Sequence, residues 1–349
     1  MAVRTLFPGV PIAPLTPNPG YGSSLTGSNR NESVADPDKR ASSSDREASR
    51  SASALFIGVD GGGSGCRARV ADSHGNTLGQ AEAAAAALRL GIDRSLAAVE
   101  SACRLAAADA GLPAGALGQM DAVIGLAGVG RKGLLEALIA RPHPFKTVRY
   151  VNDATIACLG AHRGRDGGVV IVGTGSVGLA ILDGREIRIG GYGFPISDEG
   201  SGAALGLSAL RVALKSHDRR IRKTRLASVM MRRFHDDPLE VIAWTDDATA
   251  TDYATFAPLV LDLAEQGDGA ALEIVREAAQ EIDGLANRLF QLGTPRLSLL
   301  GGMAQRIQAF MAPDVLARLV PSMGDAVDGA LLLARGVIPE DATMAKARR

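Results

Sequence analysis

Two short apolar runs, both rich in β-branched residues, each end in a cluster of glycines and a hydroxyl residue. The first run, residues 56–59, is followed by Asp60, three glycines and Ser64; the second, residues 169–172, is followed by Gly-Thr-Gly-Ser at residues 173–176. Runs of this length bounded by glycine predict strands. Because glycine lets backbone N–H groups approach an anion closely, the two loops are candidate phosphate-binding turns. Two such loops in one chain predict a polyphosphate site in which the loops bind the phosphates from two sides.

Hairpins, not helices, are predicted after both loops. The first loop is followed by two short apolar segments around a polar turn, and the second by apolar runs on either side of Asp183-Gly184. Asp-Gly between apolar runs is a strong hairpin signal. Residues 173–178 also spell G-x-G-x-x-G, but a dinucleotide site needs that pattern to open a helix. A Walker A sequence is absent. For a single loop an ordinary hairpin turn is an equal alternative, and the matching hydroxyls in two loops favour phosphate binding.

The same strand and helix order begins twice along the chain. From residue 54 the periodicity predicts three strands, then a helix, a strand, a helix, a strand and a helix, and a second meander starts at Val169. Helices are predicted over residues 94–110, 132–140 and 154–162, a mainly helical region over 205–292, a strand over 296–300 and a last helix over 325–334. The repeat lies in the architecture and not in the sequence, and it predicts an α/β protein of two domains.

Residues 1–53 differ in composition from the rest of the chain. Prolines interrupt short apolar runs up to residue 18, and a polar stretch without apolar periodicity follows. Such a stretch cannot bury enough surface to offset its ordering entropy, so a disordered extension is predicted. It lacks the basic and apolar regions of a secretory signal.

The composition argues against some classes of partner and indicates in which compartment the protein is expected. The chain is 46% apolar and its net charge is zero, which favours large cores and argues against a nucleic-acid or membrane-surface partner. The three cysteines are widely spaced and form no C-x-x-C pair, as in reduced proteins of the cytoplasm. The five histidines have no metal-ligand spacing and are expected at the surface or in turns.

Asp153 is the candidate catalytic base. It follows a predicted strand and precedes a predicted helix, and ligands of open α/β sheets bind at the carboxyl ends of strands. A carboxylate there can accept a proton from a substrate hydroxyl. The alternative is that Asp153 or Asn152 only caps the helix. The second glycine loop, shortly downstream, favours catalysis.

A dense polar loop at residues 190–202 is the candidate sugar-binding segment. It contains Asp198, Glu199, two serines and several glycines before a predicted helix. A helix cap needs one polar residue and not a run of this density, so we expect a binding loop. The glycine pair Gly301 and Gly302 marks a third turn, from strand to helix, where an adenosine could approach the backbone.

In combination these motifs resemble the sugar kinase, Hsp70 and actin ATPase superfamily over residues 55–336. Within it the chain is similar to the bacterial glucosamine and N-acetylglucosamine kinases, a branch that includes the activator ATPases of acyl-CoA enzymes. Residues 60–64, 173–176 and 300–302 resemble its two phosphate motifs and its adenosine motif, residues 152–154 its catalytic aspartate segment, and residues 191–193 and 197–201 its amino-sugar loop.

The resemblance implies two ribonuclease H-like (actin-like ATPase) domains around a central cleft, at residues 54–163 and 164–349, with the last helix able to pack back on the first. It implies an ATP-dependent kinase that phosphorylates the 6-hydroxyl of glucosamine or N-acetylglucosamine with Mg²⁺, with Asp153 as base and Asp60 orienting the metal. The implied nucleotide contacts are Gly61, Gly62, Gly63, Ser64, Gly173, Thr174, Gly175, Gly301 and Gly302, and the implied substrate contacts are Asn152, Asp153, Ser176, Gly191, Tyr192, Gly193 and Asp198.

The chain departs from the family pattern at residues 83–88. Family members often have there an asparagine that contacts sugar hydroxyls, and this chain has five alanines and a leucine. Losing such an amide costs on the order of 1–3 kcal/mol of sugar binding. A non-catalytic sugar sensor or an actin-like ATPase module is therefore the alternative, although the absence of a cysteine after Cys158 counts against the iron–sulfur activators. The oligomeric state is left open, with a homodimer as one candidate.

Overall fold

The computed structural model describes residues 54–337, together with the backbone of residues 2–5 and 16–17. The predicted disordered extension otherwise lies outside the described residues and stays a prediction. The chain forms two mixed sheets. The strands are β1 (Ala2–Thr5), β2 (Thr16–Pro17), β3 (Leu55–Gly61), β4 (Cys66–Ala71), β5 (Thr77–Ala83), β6 (Met120–Leu126), β7 (Thr147–Asn152), β8 (Gly167–Val172), β9 (Ser176–Leu182), β10 (Arg185–Ile189) and β11 (Leu297–Leu300).

The helices are mostly in the second half of the chain. They are α1 (Ile92–Asp109), α2 (Leu134–Ile139), α3 (Asp153–His162), α4 (Gly202–His217), α5 (Arg225–Arg232), α6 (Pro238–Asp247), α7 (Ala250–Ala254), α8 (Ala257–Glu265), α9 (Gly269–Gln291), α10 (Ala304–Ile307), α11 (Pro313–Leu316) and α12 (Ala326–Ala334), with 3-10 turns at Leu88–Leu90, Ala116–Gln119 and Gln308–Phe310. Each predicted helix is found, with bounds that differ by up to two residues.

The first sheet has the strand order β2-β7-β6-β3-β4-β5. Both hairpins of the predicted meander are present, because β4 pairs antiparallel with β3 and with β5. Strands β3, β6 and β7 are parallel. Their carboxyl ends therefore meet at one edge of the sheet, where the first glycine loop follows β3 and Asp153 follows β7.

The second sheet repeats this plan with the order β1-β10-β9-β8-β11. Strands β8, β9 and β10 form the predicted antiparallel meander. Strand β11 lies parallel to β8, so the carboxyl ends of these two strands also lie side by side. The second glycine loop follows β8, and the turn at Gly301 follows β11.

Two helices form the layer between the sheets. Side chains of α3 and α12 share a buried cluster with Val123 and Val151 of the first sheet and with Val169 and Leu179 of the second. Helix α1 covers the outer face of the first sheet, and α4, α5, α8 and α9 pack into the core beyond the second. The last helix lies against β3, β6 and α3. The boundary at residues 163 and 164 stays a prediction.

The prediction that the histidines lie at the surface or in turns is wrong for two of them. His162 is fully buried at the end of α3 and lies 2.8 Å from the Gly168 carbonyl oxygen, and His143 is also buried. Residue type alone gave no sign of this burial. The three cysteines are free thiols, as expected, and all three are buried.

Candidate functional site

The first glycine loop is a hydrogen-bonded turn whose apex is exposed. The Gly62 N–H donates to the Gly65 carbonyl at 2.9 Å, and the Gly62 carbonyl accepts from Ala86 at 3.1 Å. Gly63 and Ser64, at the apex of this turn, are both exposed. The alanine stretch that replaces the family's asparagine thus packs on the loop through its backbone, with Ala86 and Ala87 buried.

The second glycine loop is bound to the start of α4. The N–H groups of Gly202 and Ala203 donate to the carbonyls of Gly173 and Thr174 at 2.8 and 3.2 Å. These bonds fix the loop to a rigid element, which is what a phosphate-binding turn needs. Ser176 is buried, and its hydroxyl donates to the Glu199 carbonyl at 2.6 Å. Its predicted role as a sugar contact stays a prediction.

The third turn lies beside the second loop. Gly301 has φ +102°, and a Cβ at this position would meet the carbonyl oxygen of Val172 at the end of β8. The Met303 N–H donates to the same carbonyl at 3.1 Å. A side chain at residue 301 is excluded for two reasons, because the positive φ favours glycine and because the Val172 carbonyl oxygen occupies the space a Cβ would need. Gly302 has open space around it, which leaves room for a ligand.

Asp153 is the first residue of α3, at the carboxyl end of β7. Of the two candidate caps, Asn152 is the N-cap residue of α3. Its Oδ1 accepts a hydrogen bond from the Ala154 N–H at 2.9 Å. Oδ1 of Asp153 accepts from the same N–H. The carboxylate keeps lone pairs with which it can receive a proton.

The pKa of Asp153 is raised to about 6, mainly by burial and also by the negative charge of Asp60, against the Ala154 N–H and Arg188, which lower it. A carboxyl group with a pKa near the working pH is suited to general acid–base chemistry. The effect of Asp60 also shows that the end of β3 and the start of α3 lie close together.

Arg188, on β10, is a site residue that the sequence did not indicate. Its positive charge lowers the pKa of both Asp153 and Asp198. The guanidinium lies 5.6 Å from the centre of the Tyr192 ring, and Nε donates to the Gly190 carbonyl at 3.2 Å. The alternation of β10 is that of any half-exposed strand, so nothing in its pattern marks this arginine.

The polar loop brings Asp198 against the second glycine loop. A Cβ on Gly175 would lie 2.6 Å from Asp198 Oδ2. Asp198 has φ +67°, and its Oδ1 accepts from the Gly193 N–H at 3.0 Å. Burial raises its pKa. The predicted sugar-binding loop and the predicted phosphate loop are therefore adjacent, with Gly191 and the exposed Tyr192 beside them.

A second unpredicted contact crosses the cleft. Arg89, in the 3-10 turn after the alanine stretch, donates from Nη2 to Thr251 Oγ1 of α7 at 2.7 Å. The same Nη2 lies 3.1 Å from where a Cβ on Gly63 would be. Arg89 thus joins the first glycine loop to a helix on the second sheet's side.

Asp60 could serve as the protein ligand of a Mg²⁺ ion whose other ligands come from nucleotide phosphates and water. Within residues 54–337 no cluster of three or more His, Cys, Asp or Glu side chains could hold a metal. Mg²⁺ at nucleotide sites is commonly held by one or two carboxylates together with substrate phosphates and water. The carboxylate of Asp60 lies at the first glycine loop, where Arg67 Nη2 contacts its Oδ2 at 2.7 Å.

Comparison with known proteins adds independent evidence. Residues 57–334 match the model of the BadF/BadG/BcrA/BcrD ATPase family. The chain is 36% identical over 279 residues to glucosamine kinase GspK of Vibrio cholerae, covering 80% of this chain and 95% of that protein. No helix within residues 54–337 is long and apolar enough to cross a membrane.

Solved structures agree with the sequence relatives. A candidate N-acetylglucosamine kinase from Chromobacterium violaceum superposes with a TM-score of 0.76 at 35% identity, over 80% of this chain and 98% of that one. One from Porphyromonas gingivalis, at 17% identity and a TM-score of 0.57, covers 80% and 99% and shows the fold alone. The predicted α/β fold class and the predicted family are confirmed. The chain belongs to the BadF/BadG/BcrA/BcrD ATPase family.

Proposed function

We propose that the protein transfers the γ-phosphoryl group of ATP to the 6-hydroxyl of an amino sugar, glucosamine or N-acetylglucosamine. The observation that carries the proposal is the setting of Asp153: a carboxylate with a pKa of about 6, at the edge of the sheet that also presents the first glycine loop. The names of the relatives, glucosamine kinase and N-acetylglucosamine kinase, support the substrate class.

In this proposal the two glycine loops hold the ATP phosphates and the turn at Gly301 and Gly302 holds the adenosine. Backbone N–H groups at such loops bind anions at no cost in reorganisation. Mg²⁺ carried by the nucleotide would be oriented by Asp60 through water and would neutralise charge on the phosphates.

Asp153 acts as the general base. Its Oδ2 takes the proton of the sugar 6-hydroxyl as that oxygen forms a bond to the γ-phosphorus, and the bond from phosphorus to the β-γ bridging oxygen breaks to release ADP. The positive charge of Arg188 lowers the pKa of Asp153 and so favours its ionised form. Asp198 accepts hydrogen bonds from ring hydroxyls beside the phosphate loop.

The compartment, the class of partner and the assembly of the protein are proposals as well. Three buried, unbridged cysteines support a cytoplasmic protein. The neutral net charge supports a small-molecule substrate over a nucleic acid or a membrane surface. A homodimer is one assembly to be tested by its mass in solution.

ADP release in the presence of ATP, Mg²⁺ and a panel of sugars tests the function. We expect ADP formation that depends on glucosamine or N-acetylglucosamine, is weaker with glucose, and falls by about 10²–10⁴ in kcat for Asp153→Asn. ATP turnover at the same rate with and without sugar would contradict the kinase assignment and indicate an ATPase module.

A further inference from the structure

A strongly basic recess lies away from the cleft, where α4 ends and α5 begins. Its volume is about 980 Å³. The basic side chains that line it are His217, Arg219, Arg220, Arg222, Lys223 and Arg232. Asp236 is the one carboxylate among the lining residues, and Ala213, Ala227 and Met231 form an apolar floor. In a chain whose net charge is zero, this is a local concentration of positive charge.

The five permanent cations of the recess are not neutralised by the fold. Within residues 54–337 none of Arg219, Arg220, Arg222, Lys223 or Arg232 makes a side-chain hydrogen bond or an ion pair. Elsewhere in the protein arginines do have carboxylate partners, as the half-buried Arg306 has with Glu265 and Asp262. Like charges held around one concavity repel one another, and a bound anion relieves that repulsion.

The loop that supplies these cations has a defined backbone. After α4 the N–H groups of Arg219 and Arg220 donate to the carbonyls of Ser216 and Lys215 at 3.1 and 2.9 Å. Arg219 has φ +59°, a conformation that favours glycine. The turn folds back on the helix end, and Arg220 and Arg222, which follow, line the recess. Lys215 and His217 in the last turn of α4 are also stabilised there by the helix dipole, with or without a ligand.

The lining chemistry favours phosphate groups. Four of the five permanent cations are arginines, whose planar guanidinium groups bind phosphate oxygens in pairs. A recess of this volume suits a small molecule. A nucleic-acid surface would be a longer basic stripe.

Helix α4 joins this recess to the nucleotide site. Its 16 residues span about 24 Å. The first turn donates hydrogen bonds to the second glycine loop at Gly173 and Thr174, and the last turn forms a wall of the recess. A ligand that shifts the end of this helix acts on a rigid element in contact with the phosphate loop.

We propose that the basic recess binds a phosphorylated small molecule carrying at least three negative charges, and that its binding is coupled through α4 to the nucleotide site. The binding part is independent of the kinase assignment. The coupling part concerns nucleotide affinity and requires no turnover. By linkage, the recess ligand and the nucleotide change each other's affinity by the same factor.

Titration calorimetry with inorganic tripolyphosphate tests the binding. The titration is done in Mg²⁺-free buffer with saturating ADP, which keeps the probe out of the nucleotide site. We expect one site in the wild type, and affinity at least about 10-fold weaker in the double variant Arg220→Ala/Arg222→Ala, because the variant removes two guanidinium groups that can form charge-assisted hydrogen bonds to phosphate oxygens. The matched control is Arg94→Ala/Arg276→Ala, which removes two exposed arginines outside the recess and should bind as the wild type does.

Equal affinity in the wild type and in the recess double variant would overturn the site, as would no binding in the wild type. Tighter binding of a single-stranded oligonucleotide, lost in the same variant, would overturn the small-molecule class in favour of nucleic acid. Inorganic phosphate should bind more weakly than tripolyphosphate; equal affinities would contradict a requirement for several charges. Circular dichroism melting checks the fold, and Arg222→Ala alone replaces the double variant if that variant is unfolded.

The coupling is measured as the ADP dissociation constant with and without saturating tripolyphosphate. Tripolyphosphate also competes directly with ADP at the nucleotide site, and this effect is common to all three proteins. We expect the change in the ADP dissociation constant of the wild type and of the Arg94/Arg276 control to differ from that of the recess variant by at least about 3-fold. The same change in all three proteins, with a wild type that binds tripolyphosphate in the recess, would refute the coupling through α4 and leave the binding site standing.

Discussion

Replacing Asp153 by asparagine should abolish most activity and at the same time stabilise the fold above neutral pH. The asparagine side chain has nearly the same shape, and its oxygen can still accept from the Ala154 N–H, as Asp153 Oδ1 does at 2.9 Å. What it lacks is the charge. A catalytic carboxylate held in a desolvated position is costly to the folded state, so its removal separates the chemical role from the structural one.

The magnitude follows from the pKa of Asp153. Burial, with a contribution from Asp60, raises this pKa from 3.8 to about 6. Because the folded-state pKa lies above the unfolded one, the folded protein binds the proton more tightly, and the wild type loses stability as pH rises from about 4 through about 6. At 1.4 kcal/mol per unit the loss is about 3 kcal/mol at pH 8, with the attraction of Arg188 already included in the pKa, and Asp153→Asn regains up to that amount because it removes the charge.

Denaturant unfolding of both proteins at pH 4 and pH 8 measures the effect. We expect Asp153→Asn to be more stable than the wild type by about 1–3 kcal/mol at pH 8, with the difference shrinking toward zero at pH 4, where the wild-type carboxyl is protonated. Steady-state kinetics on the same preparations should show kcat lower by about 10²–10⁴.

Two results would refute the reasoning. A variant that is less stable than the wild type at pH 8 would mean that the Asp153 carboxylate is stabilised by its surroundings, so that its pKa is not raised. A variant with near wild-type kcat would remove Asp153 as the base whatever its stability.

Four other variants test the rest of the site. Arg188→Met removes a charge that lowers the pKa of Asp153, so the acid limb of kcat/KM should move to higher pH, and an unmoved limb would contradict the electrostatic role. Gly175→Ala places a Cβ 2.6 Å from Asp198 Oδ2 and should raise the KM of both ATP and sugar, whereas Gly302→Ala, which has open space, should affect ATP alone. Asp198→Ala should raise the sugar KM about 10–100-fold; calorimetry of sugar binding without nucleotide that shows unchanged affinity would instead indicate a metal-binding role.

The local elements could be predicted because their signals are local. Asp183-Gly184 fixes a hairpin within a few residues, and the apolar runs before the glycine loops have the length and branching of buried strands. The position of Asp153 between a strand and a helix was visible for the same reason. The motif combination also indicated the family, which the match over residues 57–334 confirmed.

The convergence of side chains depended on the tertiary structure. Arg188 reaches Asp153 and Asp198 only because β10 lies at its place in the second sheet, and Asp198 touches Gly175 only because the polar loop folds back on β8. His162 is buried between α3 and β8 for a similar reason. Sequence by itself determined which elements form, since backbone conformation depends mainly on neighbouring residues. The order of strands and the packing of layers decided which charges meet, because those contacts join residues distant along the chain.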